Sequence, residues 1–435
     1  MGVRAAVLVT GTEVLTGRVP DANGPWVAER LRGLGVDIGV VAVVGDRPED
    51  LASALRFLRA GHDLVITTGG LGPTADDLTV AVVADVLDRP TAGDPALQER
   101  IAAVVARLSA ARGWSAESPG MASGTRKQAL VPAGAHVLEP VGTAPGLVVP
   151  GDGTGPPVLV LPGPPQELQA MWVAALSDPL VATALQLATT VALRQETIRV
   201  TGIPEAELAD LLRGHESGHG ALEGRGLEVT TCLRDGDLEV VSRFRPEADA
   251  AYAQLLGAIR GRFGEAAYST DGSSLDEVVA VGLRARGWTL ATAESCTAGL
   301  LAGRLADLPG SSDYLVGGVV AYTDRVKTSE LGVGTELLSG HGAVSEQVAV
   351  AMARGARARL GTTLALSVTG IAGPGGARPG KPVGLVHVAC DGPDGTEHRE
   401  YRFGGGRAQV RARTVTSCLH LLRSVLRRSE GGGSA

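Results

Sequence analysis

Aromatic side chains are nearly absent from this sequence, with four Phe, four Trp and five Tyr among 435 residues. Its cores must therefore be aliphatic. Cysteine is as sparse. Cys232, Cys296, Cys390 and Cys418 are widely scattered, with no C-x-x-C pair, so neither a disulfide framework nor metal-finger spacing is present and a reducing cytoplasm is expected. No apolar run reaches the roughly 20 residues of a membrane span. The apolar stretch near the start is too short for a secretory signal and reads as a first strand. Positive charge shows no excess either: the formal net charge is −7, which argues against a broad nucleic-acid surface. The expectation is a soluble, cytoplasmic protein with no membrane partner and no nucleic-acid partner.

What the sequence does contain is α/β patterning at both ends. A chain of this length holds two or three domains. In residues 1–178, Val3–Val9, Val36–Val44 and Asp63–Thr67 read as strands and Pro25–Leu34 and Pro48–Arg59 as helices, which predicts a largely parallel sheet with its ligand beyond the carboxyl ends of the strands. The third strand runs into Thr68-Gly69-Gly70-Leu71-Gly72-Pro73-Thr74-Ala75-Asp76-Asp77 before a helix. Such glycines let a backbone approach phosphate, and a helix start adds N–H donors. Asp76 and Asp77 repel a bare phosphate, so their service in a site implies a divalent cation. The plainer alternative is an acid-enriched first helical turn. Lys127 could neutralise phosphate, or be solvated surface. The Pro-Gly pairs from Pro140 to Pro165 read as loops framing the cleft, joined by a strand at Val158–Leu161.

Residues 179–269 show strand, helix, two strands, helix and a short strand, a small α+β domain. Gly261 to Gly264 follows its second helix and reads as a helix stop. His215 and His219 have helical metal-pair spacing but lie in a glycine-rich stretch, HESGHGALEGRG, and a flexible loop is the expectation. Residues 270–428 form a second α/β sandwich, and residues 429–435 a flexible tail.

In that last sandwich, Thr289 to Lys327 gathers serines, tyrosines and a lysine without a histidine. Ser295 falls between an apolar strand and an amphipathic helix, where helix amides suit an anion or a developing oxyanion. A serine without histidine needs another base, and Lys327 is the candidate. Bringing its pKa from about 10.4 to about 7 or 8 means destabilising the ammonium by roughly 3 to 5 kcal/mol, which burial can supply. A plain N-cap serine is the alternative. Cys296 reads as a buried packing residue.

Ala293-Glu294-Ser295-Cys296-Thr297, Gly310-Ser311-Ser312, Tyr322, Lys327, His341 to Ser345, Thr369 to Pro374 and Lys381 to Gly384 resemble the CinA C-terminal family of nicotinamide mononucleotide amidohydrolases. One family glycine is replaced, by Ala298. Gly11-Thr12-Glu13, the Gly69 to Thr74 loop and Asp76-Asp77 resemble the MoaB/MogA-like fold. With Lys127-Gln128-Ala129, Gly142 to Gly146 and Leu161 to Pro165 followed by Glu167, they are similar to the N-terminal domain of full-length CinA. The middle segment resembles that family's KH-like linker.

The resemblance implies metal-independent hydrolysis of the amide of nicotinamide mononucleotide. Ser312 is the preferred nucleophile and Lys327 its base, Ser295 would stabilise the oxyanion or align the amide, and spacing leaves the two serines interchangeable. Tyr322 would orient Lys327 or stack on the pyridine, Thr369 would contact the amide, and Arg407 and Arg411 would hold the phosphate. For the N-terminal domain it implies ADP-ribose pyrophosphatase activity with Mg, Mn or Co held by Asp76, Asp77 and Glu13, and with Gly69, Gly70, Gly72, Thr74 and Lys127 on the substrate. The change of the MogA-type loop to Gly-Leu-Gly-Pro-Thr favours this over pterin binding. A homodimer is expected. The rival reading is a non-catalytic pterin- or nucleotide-binding scaffold in competence or the DNA damage response.

Overall fold

The computed structural model describes residues 3–113, 118–187, 193–234 and 236–431. The chain divides into two compact units, Met1–Arg194 and Gln195–Ala435.

The first unit is a sheet covered on both faces. Its strands are β1 (Arg4–Thr10), β2 (Asp37–Val44), β3 (Leu64–Thr68), β4 (Thr91–Gly93), β5 (Leu130–Pro132), β6 (His136–Leu138), β7 (Gly146–Val149) and β8 (Val158–Leu161). Six of them form the order β2-β1-β3-β8-β7-β6, with β4 and β5 as a separate pair. β2, β1, β3 and β8 run parallel, while β7 and β6 are antiparallel additions. Successive side chains of a strand face opposite ways. Val7 and Val9 of β1 accordingly meet Val27, Leu31, Leu168 and Trp172 from the helices Asn23–Gly33 and Pro165–Ser177. Ala6 and Leu8 meet Leu51, Leu55 and Val83 from Pro48–Arg59 and Thr79–Val86. Burial on both faces explains why these strands are continuous apolar runs. Two expectations are corrected here. Gly146–Val149, read as loop, is a fully buried strand. The helix Pro179–Ala184, assigned to the middle domain, packs into the first core through Val181, followed by Leu185.

The second unit holds two sheets. β9 (Arg194–Thr201), β10 (Leu227–Arg234), β11 (Asp237–Phe244) and β12 (Ala267–Ser269) form the order β10-β11-β9-β12. The helices Glu205–His219 and Asp249–Phe263 share its core through Leu208, Leu211, Leu255 and Ile259. His215 and His219 are thus helical, not in a loop. Their rings stack at 4.5 Å, and His215 is buried. Gly264 ends the second helix at φ 49°, as its sequence position implied. Asp235 of the expected hairpin turn lies outside the described residues.

β13 (Leu290–Glu294), β14 (Leu315–Val320), β15 (Leu364–Gly370), β16 (Leu385–Gly392) and β17 (Gly395–Arg402) form the order β14-β13-β15-β16-β17. β14, β13 and β15 are parallel, and β16 and β17 antiparallel. On one face Leu290, Leu364 and Leu366 pack with Val279 and Leu283 of Leu275–Arg286 and with Val410, Leu419 and Leu422 of Arg407–Gly431. On the other, Ala291, Ala293 and Ala365 pack with Val348, Met352 and Ala356 of Glu346–Leu360. The last helix continues to Gly431, so the expected tail loses residues 429–431 to helix, and 432–435 lie outside the described residues.

Ala298 sits at φ 51°, in the left-handed region. A Cβ there costs about 1–2 kcal/mol, partly offset because glycine is more flexible when unfolded. Ala298→Gly should raise stability by about 1 kcal/mol or less, read as a higher melting temperature of the second unit in calorimetry. An unchanged or lower value would mean that the surrounding turn accommodates the Cβ without strain.

Candidate active site

β13 ends at Glu294, and the next residue stays in register: the Ser295 amide donates to the Val368 carbonyl of β15 at 3.0 Å. This fixes Ser295 at the carboxyl edge of the sheet, where it is 9% exposed. β14 ends beside it, and Thr323 then caps the helix Asp324–Leu331 by accepting from the Val326 amide. One turn in, that helix points Lys327 back beneath the serine. Lys327 is 1% exposed. Its Nζ donates to the carbonyls of Ala321 at 2.9 Å and Tyr322 at 3.3 Å, and lies 3.2 Å from Ser295 Oγ. Burial depresses its pKa, opposed in part by the charge of Asp324, whose carboxylate is 4.0 Å away and largely exposed. A neutral amine has two N–H donors and one lone pair. With both carbonyls taking the N–H groups, the lone pair is left for the serine hydroxyl.

The loop after the serine is held from both ends. Buried Glu294 accepts from the amides of Gly299 at 2.9 Å, Leu301 at 3.1 Å and Ala302 at 2.8 Å. The positive end of the helix Leu300–Ala306 is therefore satisfied by the chain's own carboxylate, and the expected use of those amides for an oxyanion is corrected. Arg411 donates to the carbonyls of Cys296 at 3.1 Å and Thr297 at 2.7 Å. The same contacts correct its expected phosphate role: it braces the loop. In a trans peptide the N–H points opposite to the carbonyl, so the Thr297 amide is directed away from Arg411. Cys296 is buried and its thiol pushed up to about 11, chiefly by burial, which makes it a packing residue. Thr297 Oγ1 is buried without a hydrogen-bond partner among the described residues.

Ser312 is not part of this arrangement. It is exposed in the single turn Ser311–Asp313 that precedes β14, whereas Lys327 follows the other end of that strand. Six strand residues at about 3.3 Å each separate them by roughly 20 Å. The preferred nucleophile therefore changes from Ser312 to Ser295. Tyr322 is half-exposed, and its hydroxyl accepts from Arg407 at 2.9 Å. Arg407, itself exposed, also donates to the Gly373 carbonyl at 2.8 Å. Tyr322 touches Lys327 through its backbone carbonyl rather than its ring. Thr369 is buried and its hydroxyl donates to the Ala343 carbonyl at 2.8 Å, so it anchors the His341 to Ser345 turn instead of facing an amide.

The first unit carries a separate cleft of about 500 Å³ beyond the ends of β1, β2, β3 and β8. Gly69 and Gly70 have φ 102° and 64°, and a Cβ on them would collide with Thr10 and with the Thr79 hydroxyl. Thr79 Oγ1 donates to the Gly69 carbonyl at 2.8 Å, so these glycines are required by internal packing as well as by any ligand. Asp77 accepts from the Thr74 amide at 2.9 Å and its hydroxyl at 2.5 Å, and Lys127, on the helix Pro119–Gln128, donates to the Thr74 carbonyl. The Thr74 hydroxyl and Lys127 also hold Asp76 below the usual carboxylate range. The loop around Gly72 is thus stiffened by the residues expected to bind. Glu13 lines the cleft from the short helix Thr12–Leu15.

Sequence reasoning missed Asn23 and Asp46, which line the cleft, and named Glu167 in a family motif without giving it a role. Asn23 Nδ2 ties β3 to the loop after β8 through Thr68 Oγ1 at 2.8 Å and the Gly163 carbonyl at 2.7 Å. Glu167, in the first turn of Pro165–Ser177, has its pKa raised by burial. The Gly-Pro-Pro-x-Glu spacing was the available signal. Among the described residues no three Asp, Glu, His or Cys side chains converge to hold an ion alone. An Mg²⁺-type ion needs only one or two carboxylates plus substrate phosphates, and Asp76, Asp77 and Glu13 all line the cleft. That donor set fits such an ion but not a protein-only cage.

Residues 272–426 match the family profile described as "CinA C-terminal domain", and residues 6–182 match "Probable molybdopterin binding domain". A "CinA-like protein" of Mycolicibacterium paratuberculosis (strain ATCC BAA-968 / K-10) is 51% identical over 439 residues, covering 98% of this chain and 99% of its own. The "CinA-like protein" of Mycobacterium tuberculosis (strain ATCC 25618 / H37Rv) is 50% identical over 431 residues, 98% of each. Among solved structures, the competence/damage inducible protein CihA of Agrobacterium tumefaciens is 43% identical, covering 37% of this chain and 99% of its own, with a TM-score of 0.34. With half of its residues shared over nearly the whole length of these relatives, the chain belongs to the CinA-like family.

Proposed function

We propose that the second unit hydrolyses the carboxamide of nicotinamide mononucleotide, with Ser295 as nucleophile and Lys327 as its base. The reading rests on one observation, the fully buried Lys327 amine 3.2 Å from Ser295 Oγ. Ser295 Oγ attacks the amide carbon while its proton passes to Nζ of Lys327. The C–N bond then breaks as Lys327 returns that proton to nitrogen, ammonia leaves, and an ester remains on Ser295. Water attacks the ester, Lys327 takes its proton, and the C–O bond to Ser295 breaks with that proton restored to Oγ. The product is the carboxylate. The Thr297 amide stabilises the oxyanion. Arg407 serves the phosphate and Tyr322 the pyridine ring.

For the first unit the reading is cleavage of ADP-ribose at its pyrophosphate, supported by the acidic cleft around the Gly69 to Thr74 loop. Water adds to phosphorus and the bridging P–O bond breaks, giving AMP and ribose 5-phosphate. Glu167 accepts the proton of the water, and loop amides hold phosphate oxygens. A Mg, Mn or Co ion bound by Asp76 and Asp77 would supply charge neutralisation. AMP release should require such an ion, stop with EDTA and fall at least about 100-fold in Asp76→Ala. ADP-ribose that binds but is never cleaved, with any of the three metals, would leave the scaffold reading for this unit.

Ammonia release from nicotinamide mononucleotide should be unaffected by EDTA. It should fall by about 10³-fold or more in Ser295→Ala and Lys327→Ala and stay within a few-fold in Ser312→Ala. Loss in Ser312→Ala with retention in Ser295→Ala would reverse the assignment.

The base form of Lys327 does the work, so kcat/KM should rise with pH through a pKa below its ordinary 10.5. The same shift acts on stability. Between the depressed folded value and 10.5 the unfolded chain binds the extra proton, so stability should increase as pH rises through that window. Lys327→Met should remove that increase, measured by urea unfolding at a series of pH values.

A further inference from the structure

We propose that the second unit binds a phosphate group in the cavity between the small α+β sheet and the domain that carries Ser295. Strand alternation builds one wall. Ile198 and Val200 of β9 and Leu238 and Val240 of β11 fill the core of the small sheet, so Arg199, Asp237 and Glu239 turn to its other face. Arg234 stands directly opposite Asp237, at the end of β10, and cross-strand partners share a face. The second wall is the start of Leu275–Arg286, with Arg304 of Leu300–Ala306 and Thr416 of Arg407–Gly431. About 250 Å³ remains between the walls.

The hydrogen bonds around this cavity engage its carboxylates and leave donors over. Asp276 is held by Nε and Nη2 of Arg304, both at 2.8 Å, and Nη1 of the same side chain donates to Thr416 Oγ1 at 2.9 Å. Asp237 is held by the Tyr268 hydroxyl at 2.8 Å and His420 at 2.9 Å. Glu239 accepts from Arg199 Nε at 3.0 Å and from the Cys232 thiol at 3.7 Å.

The donors are a different matter. Arg199 Nη1 donates to the carbonyls of Gly272 and Ser273, while its Nη2 has no protein partner among the described residues. Arg234 is exposed and holds no carboxylate among the described residues. At the helix start, Ser274 and Glu277 cap each other, which leaves the Leu275 and Asp276 amides unfilled. A ligand entering the cavity therefore meets the open arm of Arg199, the Arg234 guanidinium and two helix-start amides. Such donors call for several acceptor oxygens on one atom, which is the chemistry of a phosphate. Neither Ser295 nor the cleft of the first unit contributes a residue, so the site stands apart from both proposed reactions.

The test is isothermal titration calorimetry of the full chain with inorganic phosphate. EDTA keeps metal out of the first unit, and an Arg407→Ala background removes the phosphate ligand assigned to the Ser295 site. One saturable event per chain should remain. Adding Arg234→Glu, at an exposed position, should raise its dissociation constant at least about tenfold, with circular dichroism confirming the fold. Should that variant misfold, Arg199→Lys decides in its place, because lysine keeps the charge beside Glu239 and loses the open arm. Ribose 5-phosphate separates the two sources of the group: tighter binding than inorganic phosphate assigns the site to a phosphate ester, and weaker binding to the free ion. No saturable event, or one that the folded variant leaves unchanged, overturns the proposal.

Discussion

A lysine amine can sit almost without solvent beside a serine only where other groups take its hydrogens. In this chain those groups are the carbonyls of Ala321 and Tyr322, which are free to do so because β14 has just ended. The demand propagates outward. β14 must lie next to β13 for the carbonyls that follow it to hold the amine beside the serine, β15 must lie on the other side to receive the Ser295 amide, and the helix after Thr323 must turn at once. Lysine is the residue type whose charge can be removed by such burial. Arginine in the same place would stay charged, and the site would hold a cation with no base.

Two sites in one chain show opposite uses of the same physical resource. Both stand at the carboxyl ends of parallel strands, where helix starts and loops turn N–H groups outward. At the Ser295 site the helix amides are filled by Glu294 from the preceding strand, so a substrate anion finds no welcome there and the loop is rigid before any ligand arrives. In the first unit the Gly69 to Thr74 loop is stiffened by Asp77, Lys127 and Thr79 from its flanks, while its cleft face remains open. Preorganisation is reached by an internal anion in one case and by side chains buttressing a glycine loop in the other.

How much of this was legible in the sequence follows from what each signal measures. Strands buried on both faces, such as Leu64–Thr68 and Leu364–Gly370, announce themselves as apolar runs, and the parallel order follows from the helices between them. Gly146–Val149 did not, because a four-residue strand among Pro-Gly pairs has the composition of a loop. His215 and His219 were misread for the same reason, since tertiary packing of Leu208 and Leu211 overrides the poor helix propensity of the glycines around them. The choice between Ser295 and Ser312 could not be made from spacing, because the two lie at opposite ends of the same helix, 32 and 15 residues before Lys327, and separation along the chain does not give distance across the sheet. Only the sheet order, which puts Ser312 at the wrong end of β14, separates them. Glu294 stands next to Ser295 and reads as a strand residue, yet nothing local reveals that its carboxylate turns to the helix six residues on.

The small α+β sheet is tied to the Ser295 site through the last helix. Arg407 and Arg411 lie in the first turns of Arg407–Gly431, and His420 farther along it bonds Asp237 of β11 at 2.9 Å and Thr201 of β9 at 3.2 Å. Tyr268 donates to the same Asp237 at 2.8 Å. Asp237 is held below the usual carboxylate range by these partners, against the opposing effect of its burial. A helix anchored this way at its middle cannot slide, and its first turns cannot swing Arg411 off the Cys296 and Thr297 carbonyls. The geometry of the serine loop therefore depends on a buried hydrogen-bond network in a neighbouring sheet, which gives that sheet a mechanical reason to share a compact unit with the Ser295 site.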